Sequence, residues 1–174
     1  MGDDEEHGIE RTRMPSEDLQ ELIHVLTQTP QTVANLVKDL SEPDLSFKNS
    51  PDEFSAIENV CHLRDIEIDG YTERILRILR ENNPTLPDID GSRLAIEREY
   101  QSQNLSEALQ AFADARTRNT KTLRGLIAEQ FDREGTLEGT GSVTIRGLLL
   151  MMRNHDADHV RELSSIRGRL GPAT

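Results

Sequence analysis

The sequence predicts an all-α protein, a four-helix bundle of up-down-down-up topology with a long crossover between its second and third helices. Apolar residues recur at alternating three- and four-residue steps in four long segments, which is the spacing of one buried helix face. Two short connections and one long one join those segments. No stretch of useful length alternates with the two-residue period of a strand.

In the first segment the stripe runs Leu19, Leu22, Leu26, Thr29, Val33, Leu36 and Leu40. Pro30 lies inside it, where proline removes a donor and clashes with the preceding turn. Thr29 can cap a restarted helix, so a kink or break is expected there. His24 falls off the stripe and is expected in solvent. The second helix is expected to open at Ser50-Pro51-Asp52-Glu53, an N-cap, a first-turn proline and a glutamate at the third helical position. It carries Phe54, Ile57, Cys61, Ile68, Tyr71, Ile75 and Leu79 on its apolar face and stops at Asn82-Asn83-Pro84. The following stretch reads as loop, with room for a short helical piece from Ser92 to Tyr100.

Asn104 with Glu107 starts the third helix, which places Leu105, Leu109, Phe112, Leu123 and Ile127 on one side. Arg116 interrupts that side. Its stem is expected to snorkel toward solvent, with a buried carboxylate partner as the alternative. Gly135, Gly139 and Gly141 punctuate the next loop, and Ser142 or Thr144 caps a fourth helix that ends near Gly168 or Gly171-Pro172.

Helices of about 26 to 30 residues are each roughly 40 Å long at 1.5 Å per residue. Connections of about ten residues join the first helix to the second and the third to the fourth, which favours antiparallel neighbours. About 20 residues separate the second and third, enough to cross the bundle, so up-down-down-up is preferred over a simple up-down-up-down arrangement. At 174 residues the chain fits one domain, placed at 16–171. Residues 1–15 are charged and nearly devoid of apolar side chains, so they are expected to form a flexible acidic tail in which His7 is incidental.

A net charge of -12 argues against nucleic acid as a partner. No apolar run approaches a membrane span and the start lacks a basic region followed by an apolar one, so a soluble cytoplasmic protein is expected. The lone Cys61 leaves no intramolecular disulfide and too few thiolates for a cysteine zinc cluster. Its place on the apolar stripe favours packing over a role as sulfur ligand.

The informative segment is Asn154-His155-Asp156-Ala157-Asp158-His159 in the fourth helix. Residues four apart lie one above the other, so two imidazoles can converge on one metal ion. Both histidines continue the stripe of Leu148, Met152, Leu163, Ile166 and Leu170 that should face the core. They read either as core side chains satisfied by hydrogen bonds or as two ligands of a site that needs a third.

His62 is the natural third ligand, because it alone of the other histidines lies in a long helix away from the tail and the solvated face. Yet it sits more than roughly 90° from the centre of its helix's apolar stripe. It belongs instead to a polar seam of Glu58, His62, Asp65, Asp69 and Thr72. Such a seam is ordinarily solvated. The alternative is a cleft between helices two and four in which Glu58 and Asp65 orient an imidazole or transfer protons. Asp156 and Asp158 adjoin the histidine pair and can simply be solvated.

The stretch Glu53-Phe54-Ser55-Ala56-Ile57-Glu58-Asn59-Val60-Cys61-His62-Leu63-Arg64-Asp65 resembles the first signature of the DinB-like family, in which an aromatic-Ser pair precedes a helix carrying a metal histidine. Asn154 to His159 is similar to the family's second signature, with the other two ligands, and Thr29-Pro30 and Arg116 extend the resemblance. What the resemblance implies is an up-down-down-up bundle, a divalent metal held by His62, His155 and His159, and a homodimer. The family includes metal-dependent hydrolases and transferases or isomerases that use low-molecular-weight thiols, and some members lack the ligands. This chain keeps all three histidines.

Two functions are therefore expected. One is a metal-dependent enzyme on a small-molecule substrate, either a hydrolase or a thiol-dependent S-transferase that takes a low-molecular-weight thiol as second cofactor. The other is a non-catalytic dimeric metal-binding module in a stress response. Three nitrogen ligands suit several metals, and zinc or nickel is favoured. No motif matches the thiol-recognition residues of a characterised branch.

Overall fold

The computed structural model describes residues 16–170, apart from the side chain of Leu170; the expected N-terminal tail lies outside the described residues. In chain order the elements are α1 (Glu17–Val37), α2 (Glu42–Ser46), α3 (Ala56–Asp65), a π-helical turn (Ile66–Thr72), α4 (Glu73–Arg80), β1 (Thr85–Leu86) and α5 (Gly91–Glu97). Then come α6 (Leu105–Arg124), β2 (Glu134–Leu137), β3 (Gly141–Thr144) and α7 (Ile145–Leu170), with short 3-10 turns at Tyr100–Ser102 and Ala128–Asp132. The four long helices are α1, the continuous α3–α4 helix, α6 and α7.

Hydrogen bonds between helices give their directions. Arg167 near the end of α7 donates to the carbonyl of Leu36 near the end of α1 (3.0 Å), so these two run parallel. Arg64 on α3 reaches Gln103 just before α6 (2.6 Å), and Thr72 further along meets Asn119 (2.8 Å), so α3–α4 and α6 are also parallel. Asn59 meets His159 whereas His62 meets His155, which sets α3 antiparallel to α7. The bundle is therefore up-down-down-up.

Its adjacency differs from the expectation. α1 packs chiefly on α6 and α7, and α3 does the same, so the first and second long helices are antiparallel across a diagonal, as are the third and fourth, whereas the second and third lie side by side and parallel. α1 and α6 end earlier than their stripes suggest, and the longer links, which include α2 and the β2–β3 hairpin, reach across the ends.

Three local features depart from the sequence expectation. α1 runs unbroken through Pro30. The proline has no N–H for the carbonyl of Leu26, and that carbonyl accepts instead from Arg116 Nη1 (2.8 Å). The second helix starts five residues later than expected, at Ser55, whose hydroxyl accepts from the Glu58 N–H while Glu58 accepts from the Ser55 N–H (2.8 Å). The π turn then shifts the register of that helix. Glu67 is buried and Ile68, expected in the core, is only half-buried.

The glycine-punctuated segment expected as loop forms a hairpin. β2 pairs antiparallel with β3, and β1 adds in parallel to β2, making a small sheet at the crossover end of the bundle. Gly135 in β2 lies so close to Leu86 that a Cβ there would sit 2.8 Å from its Cδ1, so the strand carries a glycine where a side chain would signal it.

Two apolar clusters fill the interior. One gathers Leu22, Leu26, Ile78, Leu123, Leu148 and Met152; the other gathers Val33, Val60, Phe112, Leu163 and Ile166. Between them buried polar side chains cross the bundle: Asn59, His62, Glu67, Arg116, Asn119, Asp156 and His159. Buried polar groups of this number must satisfy one another.

Candidate metal centre

The three predicted histidines meet in that polar layer. His62, His155 and His159 each offer a ring nitrogen, and these nitrogens all lie within 4.8 Å of one another. His62 Nε2 is 3.0 Å from His155 Nε2. The i, i+4 spacing on α7 supplies two rings and the antiparallel α3 supplies the third. His62 and His159 are buried, and His155 is half-buried.

Two of the rings are oriented by different means. His159 Nδ1 lies 2.7 Å from Asn59 Oδ1 and 3.1 Å from Glu162 Oε2. Asn59 is itself fixed, because its amide donates to the carbonyl of Ser55 (3.0 Å) and so turns its oxygen toward His159. Both partners of Nδ1 are acceptors, which assigns the ring proton to Nδ1 and leaves the Nε2 lone pair for a cation. His62 Nδ1 is buried without a hydrogen-bond partner among the described residues. Packing holds that ring: the Phe54 ring lies 5.1 Å from it, and a Cβ at Gly91 would fall 2.3 Å from its Cε1. Gly91→Ala is therefore expected to leave helical content intact while weakening Zn²⁺ binding by about tenfold or more, as displacement of a ligating ring does. Chelator competition measures this.

Burial, reinforced by His159, holds the His62 imidazole down at about 4. Burial, with His159 and then His62, holds His155 down at about 3. Both rings are thus neutral at neutral pH, the form that binds metal. In the metal-free protein their contribution to stability is complete above the ordinary value of 6.5 and is lost as pH falls toward 4 and 3, because unfolding then takes up protons. Stability should fall by about 1.4 kcal/mol per pH unit for each ring below that value. Urea midpoints of metal-free protein at pH 7 and pH 5 check it; equal midpoints would contradict the burial account.

The two carboxylates expected to orient a ligand or move protons have other partners. Glu58 closes the Ser55 cap, pairs with Lys48 (3.2 Å) and accepts from Gln101 (3.0 Å). Asp65 accepts from Arg64 (2.6 Å), Arg98 (2.8 Å) and Tyr100 Oη (2.7 Å). These donors hold both carboxyls below their ordinary range against the opposing effect of burial. Among the described residues neither is hydrogen-bonded to an imidazole. The first part of the polar seam, Glu58, His62 and Asp65, is buried because the crossover covers it: Gln101 lies against Glu58, Gly91 against His62, and Arg98 with Tyr100 against Asp65. Asp69 is exposed and pairs with Arg98 (2.8 Å).

Cys61 is fully buried and its thiol is pushed up to about 11 by that burial, facing Gln103 and the Tyr100 carbonyl rather than the imidazoles. Asp158 is exposed and paired with Arg161, whereas Asp156 is buried on Arg116. His24 is exposed on α1, with Gln28 as its neighbour (3.1 Å).

A family model described as the DinB superfamily matches residues 25–163. The chain belongs to the DinB superfamily. No curated protein matches it. Among solved structures, YfiT from Bacillus subtilis is similar, with a TM-score of 0.84 and 21% sequence identity over 91% of each chain. That protein is described as "a probable metal-dependent hydrolase with an unusual four-helix bundle topology", and the likeness is one of fold.

The site of this DinB-superfamily chain holds three residues that periodicity did not single out. Asn59 precedes His62 by three residues and Glu162 follows His159 by three, the helical spacing of same-face neighbours, so a search one turn from each histidine would have found both. Gly91 gave no such signal. Beside His159 a cleft of about 500 Å³ opens to solvent, with Phe54, Ser92, Glu162, Ile166 and Arg169 in its walls.

Proposed function

We propose that this DinB-superfamily protein is a metal-dependent enzyme that acts on an electrophilic small molecule, with water or a low-molecular-weight thiol as the nucleophile. The observation that carries the reading is a three-imidazole cluster with one ring, His159, in the wall of an open cleft. Structural zinc sites are closed by four protein ligands, whereas a three-ligand set leaves a position for a reactant.

The residues present fit a divalent cation. The donor set is all nitrogen, two of the rings are held neutral by burial, and the third has its proton fixed on the far nitrogen by Asn59. His62, His155 and His159 would hold the ion; when bound, it supplies Lewis acidity that lowers the pKa of a nucleophile and polarises an electrophile. The protein's own contribution is orientation. Phe54 lies against His62 and His159 and screens that side, while Glu162 faces the cleft with its carboxylate on His159 Nδ1.

The solved structure with the same fold carries a description as "a probable metal-dependent hydrolase", which supports water as the first nucleophile to test. The deciding experiment loads the protein with zinc or nickel and assays an ester or amide panel and an electrophile panel, with and without cellular thiols. Thiol-independent turnover supports the hydrolase, and thiol-dependent turnover supports the transferase. Full metal loading with no turnover in either panel would move the assignment to a non-catalytic metal-binding module.

A further inference from the structure

Two irregularities in separate helices meet at one guanidinium. Pro30 leaves the Leu26 carbonyl without its helical donor, and the π turn brings Glu67 into the interior. Arg116, on a third helix, takes both: Nη1 donates to the Leu26 carbonyl (2.8 Å) and Nη2 to Glu67 Oε2 (2.8 Å). The same two nitrogens donate to Asp156 on the fourth helix, at 2.7 and 3.0 Å. Asn119 braces the far side of Glu67, donating to its Oε1 (2.7 Å) and to Thr72 Oγ1 (2.8 Å). One side chain thus bonds to each of the other three long helices, and it is 2% exposed.

The place of this clamp along the helices matters more than its strength. Asp156 follows His155 directly and precedes His159 by three residues, while Glu67 follows His62 by five. The guanidinium therefore ties α7 to the α3–α4 helix within two turns of every imidazole. The 3.0 Å approach of His62 to His155 joins two backbones that no other buried ion pair among the described residues connects at this level. A helix rises 1.5 Å per residue, so a slide by even part of a residue opens that approach, and metal sites tolerate only about 0.5 Å of misplacement.

We propose that Arg116, acting through Asp156 and Glu67, is a positioning residue for the three-histidine centre. It sets the register of α7 against α3–α4 and thereby the affinity for the cation. The inference rests on the metal-centre reading above. A fork that bonds four acceptors in fixed directions does this where a point charge would not, so Arg116→Lys keeps the charge and removes the register.

The test uses the full chain with Zn²⁺ in chelator competition and Co²⁺ as a spectroscopic probe, under conditions where circular dichroism shows each variant folded. Arg116→Lys and Asp156→Asn are compared with Leu123→Ala, a cavity variant in the apolar cluster, as a control for lost stability alone. Both network variants should weaken Zn²⁺ binding by about tenfold or more and shift the visible Co²⁺ bands, whereas Leu123→Ala should bind as wild type does. Asn119→Ala, which frees only Glu67 and Thr72, moves affinity in the same direction and serves if the charge variants do not fold. Wild-type affinity and spectrum in the folded network variants would overturn the proposal, as would an equal loss in Leu123→Ala. A wild type that binds neither ion would overturn the metal-centre reading and the proposal with it.

Discussion

Arg116→Ala is expected to cost about 3–5 kcal/mol of stability, the usual penalty when one partner of a buried ion pair is removed. The truncation leaves Glu67 and Asp156, 1% and 4% exposed, as two like charges facing each other across an emptied space. It also strips the Leu26 carbonyl of the donor that stands in for the one Pro30 lacks. Burial opposes a guanidinium's charge, yet the two carboxylates raise the Arg116 pKa above its ordinary value, so the cation is the form the site was built around. For a chain of this size each kcal/mol shifts the melting temperature by roughly 2–4 °C, so a fall on the order of 10 °C is expected in a thermal melt. A melt unchanged within about 2 °C would show that water enters the vacated space and solvates both carboxylates.

The second large effect concerns the ligands. His155→Ala is expected to weaken Zn²⁺ binding by more than the roughly 10–100-fold that loss of an outer partner costs, because it removes one of three donor nitrogens. A cation that binds only the folded chain stabilises it by about 2.7 kcal/mol at 100 times its dissociation constant. Wild type should therefore melt several degrees higher when zinc is added, and His155→Ala should not. His24→Ala, at an exposed histidine on α1, is the control and should keep the full shift. A zinc-induced shift retained in full by His155→Ala would point to adventitious surface binding instead.

Much of this arrangement was legible in the order of residues. The α7 stripe placed His155 and His159 toward the core, and Asn104 with Glu107 marked the start of α6, where the Asn104 side chain accepts from the Glu107 N–H (3.0 Å). His62 was harder, and its companion signature rather than its helical phase picked it out. A wheel assumes one buried face, whereas α3 is buried nearly all round, by the bundle on one side and by the crossover on the other. The part of the polar seam that it carries, Glu58, His62 and Asp65, is consequently interior.

Register was lost for a second reason. A wheel at a constant 100° per residue cannot see the π turn, which exchanges Ile68 for Glu67 in the interior. Pro30 was a break only if the Leu26 carbonyl it orphans had no other donor, and that donor comes from Arg116, 90 positions away in the sequence. The cap expected at Ser50 forms instead at Ser55. The choice of Ser55 rests on Gln101, which donates to both the Ser55 hydroxyl (3.1 Å) and the Glu58 carboxylate, and on Lys48, which pairs with the same carboxylate.

The central claim is that His62, His155 and His159 act together as one cation site. Equilibrium dialysis of metal-stripped protein against zinc, followed by elemental analysis, tests it directly in wild type and in the three single His→Ala variants. The account predicts one tightly held zinc per chain in wild type and less than a tenth as much in each variant at the same free zinc. Less than a tenth of an equivalent in wild type, or a full equivalent retained by any one of the three variants, would contradict it.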